Sequence, residues 1–252
     1  MRLPTPVLVV LLGAAFVTLM GLGIWQLQRN DWKQNLVAES HARTDAPPLD
    51  VTDATGLAAD DMAYRRIHLE GEWRLDDVMF LANRARYSVR GEEILLPVQP
   101  AEGPAVLVNL GWIPDGARAD VMAQLAERAG EPIDGLGVDA TGRNGRRIPS
   151  GSWSNIDTDT MGEALGYNLV SWFVLAGPER TSDPNPNDPL PVDGWQRFHN
   201  TTPHMEYALT WFGIAAALVA IAVFRLVIAP RREAQARPPA PGGGGDSPPT
   251  SS

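Results

Sequence analysis

VLVVLLGAAFVTLMGLGI, residues 7–24, holds no charged side chain, and ALTWFGIAAALVAIAVFRLVI, residues 208–228, holds one arginine. A helix needs about 20 mostly apolar residues to cross a hydrocarbon layer of roughly 30 Å, and each run is near that length. These runs decide the fold class, because the long polar segment between them then reads as one globular domain carried by two membrane anchors.

Charge assigns the sides, since Lys and Arg in short flanks stay cytoplasmic during insertion. The N-terminal flank has Arg2, and the C-terminal side has Arg225, Arg231, Arg232 and Arg237. Residues 25–204 carry 16 Lys and Arg against 27 Asp and Glu, a net charge of −11 against −9 for the whole chain. Both tails are therefore expected inside and the domain outside, although Arg29 and Lys33 pull the other way. Signal-peptide cores usually run about 7 to 15 residues before a small-residue cleavage site. The first run is longer and exits into Trp25-Gln26-Leu27-Gln28-Arg29, so it is read as retained. Trp25, Trp32, Tyr207 and Trp211 suit a headgroup belt, where amphipathic rings settle. The expected segments are a cytoplasmic tail (1–6), a transmembrane helix (7–26), an extracytoplasmic α+β domain (27–202), a second transmembrane helix (203–229) and a disordered cytoplasmic tail (230–252), rich in Pro, Gly and Ser. As no targeting peptide precedes the first run, a bacterial plasma (inner) membrane is the expected location, with the main domain periplasmic.

Helical spacing of Trp32 and Leu36 extends the first helix over 31–43, and Pro47-Pro48 end it. Strands are expected at 65–73, 78–81, 94–98, 105–110, 136–140 and 169–176, and helices at 119–129 and 157–165. Together they predict an α+β fold with a largely antiparallel sheet. Residues 181–193, with four prolines, read as a surface loop, and the Gly-rich stretch around Arg143, Arg146 and Arg147 as a solvated one.

The chain has no cysteine, which excludes thiolate copper carriage, C-x-x-C-H haem attachment, iron–sulfur clusters and disulfide exchange. So acidic a domain is a poor nucleic-acid binder. No nucleophile elbow, P-loop, H-E-x-x-H or dinucleotide fingerprint occurs, and the pairs Asp60-Asp61, Asp76-Asp77 and Glu92-Glu93 read as solvated turns rather than catalytic dyads. No enzyme is indicated.

The segment Thr201-Thr202-Pro203-His204-Met205-Glu206-Tyr207-Ala208, at the entry to the second span, stands out. Pro203 fits the first helical position and Thr202 the cap, so His204 falls in the first turn of the membrane helix. A neutral imidazole there can bind a metal or a haem iron. Tyr207, Ala208 and Trp211 share its face by spacing, and one small residue between two rings leaves room for a flat apolar ligand. Alternatively, His204 caps the helix or binds a lipid headgroup. His41, His68 and His199 are weaker candidates for a second ligand.

Several collinear motifs resemble the surfeit-locus family of cytochrome c oxidase assembly proteins, in its bacterial form. They are Gly21-Leu22-Gly23-Ile24-Trp25-Gln26-Leu27-Gln28-Arg29 with Trp32-Lys33, Tyr64-Arg65-Arg66 through Trp73, Asn83-Arg84, Val106 through Pro114, Trp153 with Asp157, and His204-Tyr207-Trp211-Phe212. Leu110 departs from the pattern, because the family usually carries arginine there. The resemblance implies a non-enzymatic factor that assists haem-copper oxidase maturation by supporting delivery or insertion of haem a into the large subunit. His204 matches the family's candidate axial ligand, and Tyr207, Trp211, Trp25, Gln26 and Arg29 would wall the site. The implied partners are the oxidase large subunit, haem a synthesis or assembly factors, and the lipid bilayer. The alternative is a structural chaperone of the nascent subunit that touches no haem, with Trp25, Gln26, Arg29 and Trp32 as its partner surface.

Overall fold

The computed structural model describes residues 4–86, 88–182, 188–229 and 231–232. In chain order the elements are α1 (Thr5–Asp45), β1 (Leu49–Val51), α2 (Ala59–Met62), β2 (Arg66–Leu69), β3 (Glu72–Trp73), β4 (Met79–Arg86), β5 (Val89–Gln99), β6 (Ala105–Pro114), α3 (Arg118–Glu127), β7 (Ile133–Asp139), α4 (Thr158–Leu165), β8 (Leu169–Ala176) and α5 (His204–Val223). A π-helical turn over Phe224–Ile228 continues α5. The described residues divide into two compact units, one within Met1–Gln34 and Thr201–Ser252, the other within Asn35–Asn200.

In the first unit, α1 and α5 are each long and apolar enough to cross a membrane. The less exposed positions of α1, among them Leu12, Ala15, Leu19, Gly23, Gln26 and Asn30, recur every three or four residues, as do His204, Ala208, Trp211 and Ala215 on α5. One stripe of each helix is covered, while residues such as Val10 and Val17 stand 69% exposed on the other side. The helices touch where a Cβ on Gly23 would come within 2.4 Å of the Phe212 ring. Glycine there lets the backbones approach. As expected, the first helix continues through 31–43, because neither Pro nor Gly interrupts the sequence between Ile24 and Asp45. Apart from Arg231 and Arg232, which are helical, the expected disordered tail (230–252) lies outside the described residues.

The second unit is built on an eight-stranded mixed sheet in the order β1-β2-β7-β8-β6-β5-β3, with β4 also on the outer edge of β5. The pairs β1–β2 and β6–β8 are parallel and the others antiparallel. The fold is therefore α+β, as expected. Side chains alternate across the central strands. Val106, Val108, Trp172 and Val174 join Val121 and Leu125 of α3 in one apolar layer, whereas Leu107 and Phe173 join Met161 of α4 and Trp153 in another. With both faces covered, β6 is buried along nearly its whole length.

Two expectations are corrected. The strands expected at 78–81 and 94–98 run much longer and form a hairpin, and Glu92-Glu93 lies inside β5 rather than in a turn. There Glu92 accepts from Arg118 and Ser152, while Glu93 accepts from Asn109. The Gly-rich stretch is the expected loop, with Arg146 and Arg147 exposed, and it is tied down where the Gly145 amide donates to the Asp157 carboxylate at 3.0 Å. Of the expected surface loop 181–193, residues 183–187 lie outside the described residues. Its end returns to the sheet, where Val192 exchanges backbone hydrogen bonds with Trp112 and is buried.

Candidate functional site

The first turn of α5 forms one residue later than the sequence suggested. Pro203 is the cap residue, because its φ of −80° and ψ of 60° are not helical while its carbonyl accepts the Tyr207 amide at 3.2 Å. Proline has no N–H to lose at that position, and Thr202 contributes its backbone carbonyl, which accepts the His204 amide at 2.9 Å. His204 is thus the first helical residue and is buried.

Across the helix pair, Nδ1 of His204 lies 2.9 Å from Oε1 of Gln26. An amide oxygen only accepts, so Nδ1 carries the proton and donates, and in the neutral ring the lone pair is on Nε2. Nε2 is buried and has no hydrogen-bond partner among the described residues. A fixed tautomer with an unclaimed, coordinating nitrogen is the arrangement a metal-binding histidine requires.

The other predicted residues are placed differently. Ala208 is fully covered, so the notch expected between Tyr207 and Trp211 is filled. Tyr207 is 51% exposed and Trp25 54%, so both turn away from the covered stripe. Trp211 is half-buried along it. The Arg29 guanidinium stacks 4.0 Å from the Trp32 ring centre. The structure therefore unites His204 and Gln26, and it does not bring Trp25, Arg29 or Tyr207 to them.

The remaining histidines are engaged within the globular unit. His41 Nε2 lies 3.0 Å from the Phe198 carbonyl, and its ring meets His199 edge-on. His68 Nδ1 lies 2.8 Å from Asp134, whose carboxylate pushes the imidazole pKa up and favours the protonated form, a poor metal ligand.

The comparisons with known proteins agree with this layout. A model of the SURF1 family matches residues 13–216, taking in most of the first apolar helix, the whole sheet and the start of the second helix with His204. The chain belongs to the SURF1 family. It is 26% identical over 214 residues to a SURF1-like protein of Rickettsia bellii, covering 82% of this chain and 85% of the relative. Surfeit locus protein 1 of Mus musculus is 26% identical over 221 residues, covering 79% and 69% of the two chains. Its counterpart in Homo sapiens is 26% identical over 223 residues, covering 80% and 71%. Gln26 and Gly23 of this SURF1 family member stand in the same sequence motif, yet their partners His204 and Phe212 are far away in the chain and only the fold reveals them. Leu110, at the position where the resemblance implied an arginine, is buried in the apolar layer with Trp73 and Leu125, where an aliphatic side chain packs without needing a charge partner.

Proposed function

We propose that this SURF1 family member is a non-enzymatic, membrane-anchored assembly factor for a haem-copper cytochrome c oxidase, holding haem a transiently on its way to the large subunit. In this reading α1 and α5 span the plasma (inner) membrane, both tails are cytoplasmic, and the globular unit is extracytoplasmic. The observation that carries it is the unpartnered Nε2 of His204, fixed in tautomer by Gln26. Bound haem would supply a Lewis-acidic iron, for which a neutral imidazole is a ligand. His204 would provide that ligand and Gln26 would orient it, while the apolar helix surfaces shield the ring from water. A single protein ligand would be readily given up, which suits a carrier better than a storage protein. Because Nε2 is covered, the surrounding side chains must part before anything reaches it.

A test is the visible absorption of the full chain purified from cells that make haem a, compared with His204→Ala. A haem spectrum in the wild type, reduced at least about tenfold in the variant, is expected from loss of the one ligand. No haem spectrum in the wild type would overturn the carrier role. One observation favours the second reading, a chaperone that grips the nascent oxidase subunit: Trp25 and Trp32 are 54% and 49% exposed on α1, as partner-binding aromatics would be. In that case Trp25→Ala with Trp32→Ala lowers oxidase yield while His204→Ala does not.

A further inference from the structure

Beyond Leu107, the sheet face that carries Phe173 stops being apolar. A cavity of about 510 Å³ opens there in the globular unit, with Arg84, Arg86, Glu93, Asn109 and Arg143 on its walls. The Asn109 amide donates to Glu93 at 3.0 Å and its oxygen accepts the Gly111 amide at 2.9 Å, so the polar floor is fixed. Arg84 and Arg86 reach the same Glu93 at 3.6 and 3.8 Å, ion-pair distances too long for hydrogen bonds. Arg143 donates from Nε to the Asp139 carbonyl and lies 5.1 Å from the Phe173 ring centre, with no carboxylate partner among the described residues. Arg180, also on the wall, is held by Asp188 and Asp193. Three guanidinium groups thus face one carboxylate, a local cationic excess in a segment that is strongly acidic overall.

The fold builds this arrangement. The bulge between Leu81 and Arg84 sets the aim of Arg84, and the Trp112 indole donates to the Arg84 carbonyl at 2.9 Å. Two of the sequence motifs, Asn83-Arg84 and Asn109 through Trp112, meet here although they lie apart in the chain. An apolar wall of Leu81, Val138, Phe173, Leu175 and Trp195 stands beside these charges, with Asn155 and Gln196 as further polar lining. Half-enclosed clefts of this size, apolar with a few converging charges, are typical of small-molecule sites, and planar guanidinium forks match carboxylate and phosphate oxygens.

The geometry points to a binding site for a small amphiphilic anion, a carboxylate or phosphate carried on a flat apolar body. It goes beyond the carrier role and uses no residue of the His204 site.

The test is calorimetric titration of the full chain in zwitterionic nanodiscs with 2-naphthyl phosphate, against empty discs as blank, with 2-naphthol and inorganic phosphate as half-ligands. Saturable binding of the naphthyl phosphate, stronger than that of either half and weakened by salt, is expected. Arg143→Gln and Arg86→Gln should each weaken it about tenfold, the effect of losing one charge-assisted contact. Glu93→Gln should tighten it several-fold, because it removes the competing carboxylate while keeping an acceptor for Asn109; a merely structural role for these residues would weaken binding in all three variants. Discs doped with anionic phospholipid supply the same chemistry in the bilayer: displacement of the probe assigns the site to a lipid phosphate, and retention assigns it to a soluble anion. No saturable binding to the folded wild type, or equal binding by the arginine variants, would overturn the proposal.

Discussion

At position 204 a single hydrogen bond decides which nitrogen of an imidazole is chemically free. The sequence placed His204 in the first turn of a membrane helix from its neighbours alone, because proline marks that point and the apolar run follows it. Gln26 is 178 residues away in the chain, and nothing local ties the two together. Their contact has a measurable size. A double-mutant cycle with Gln26→Ala and His204→Ala, read from thermal unfolding in nanodiscs, should give a coupling of about 0.5–2 kcal/mol, the range of hydrogen bonds between membrane helices. Additive effects would mean that the pair does not form and that Nε2 has no fixed tautomer.

Between elements, the contact of α1 with α5 rests on the absence of a side chain at Gly23. Replacing it with leucine forces the Phe212 ring aside and should cost about 1–3 kcal/mol, as overpacking does. Phe212→Ala in the same chain should recover part of that loss. Proximity between a dye on each helix, followed by energy transfer, reads both outcomes. Elements with an apolar or aromatic signature were legible in the sequence: β8 was expected over the residues where it is found, and Asp157 caps α4 by accepting the Thr160 amide at 3.1 Å. The full length of the β4–β5 hairpin was not, since Arg84, Arg86, Glu92 and Glu93 look like solvent-facing residues until their partners across the fold are known. Half-buried ion pairs conceal strands from hydropathy. The same concealment hid the arginine-lined cavity, whose walls come from five strands, the loop between β7 and α4 and the segment after β8.

For the molecule as a whole, stability should depend on pH through carboxylates with cationic partners. Arg118 donates to Glu92 and holds its carboxyl below the usual carboxylate range, helped by Ser152 and opposed by burial. A depressed folded pKa stabilises the fold above the unfolded value, near 4.5 for this group, and that contribution is lost as pH falls through the folded value. Glu92→Gln should therefore remove about 1 kcal/mol at neutral pH and flatten the acid limb of unfolding temperature against pH below about 4.5. An unchanged acid limb would mean that the pair contributes nothing. Shielding of the His204 nitrogen has a kinetic corollary for the assembled protein. Whatever seeks that atom waits for side chains to swing open, so at high ligand excess loading would level off at the opening rate, and the protein would set the pace of its own charging.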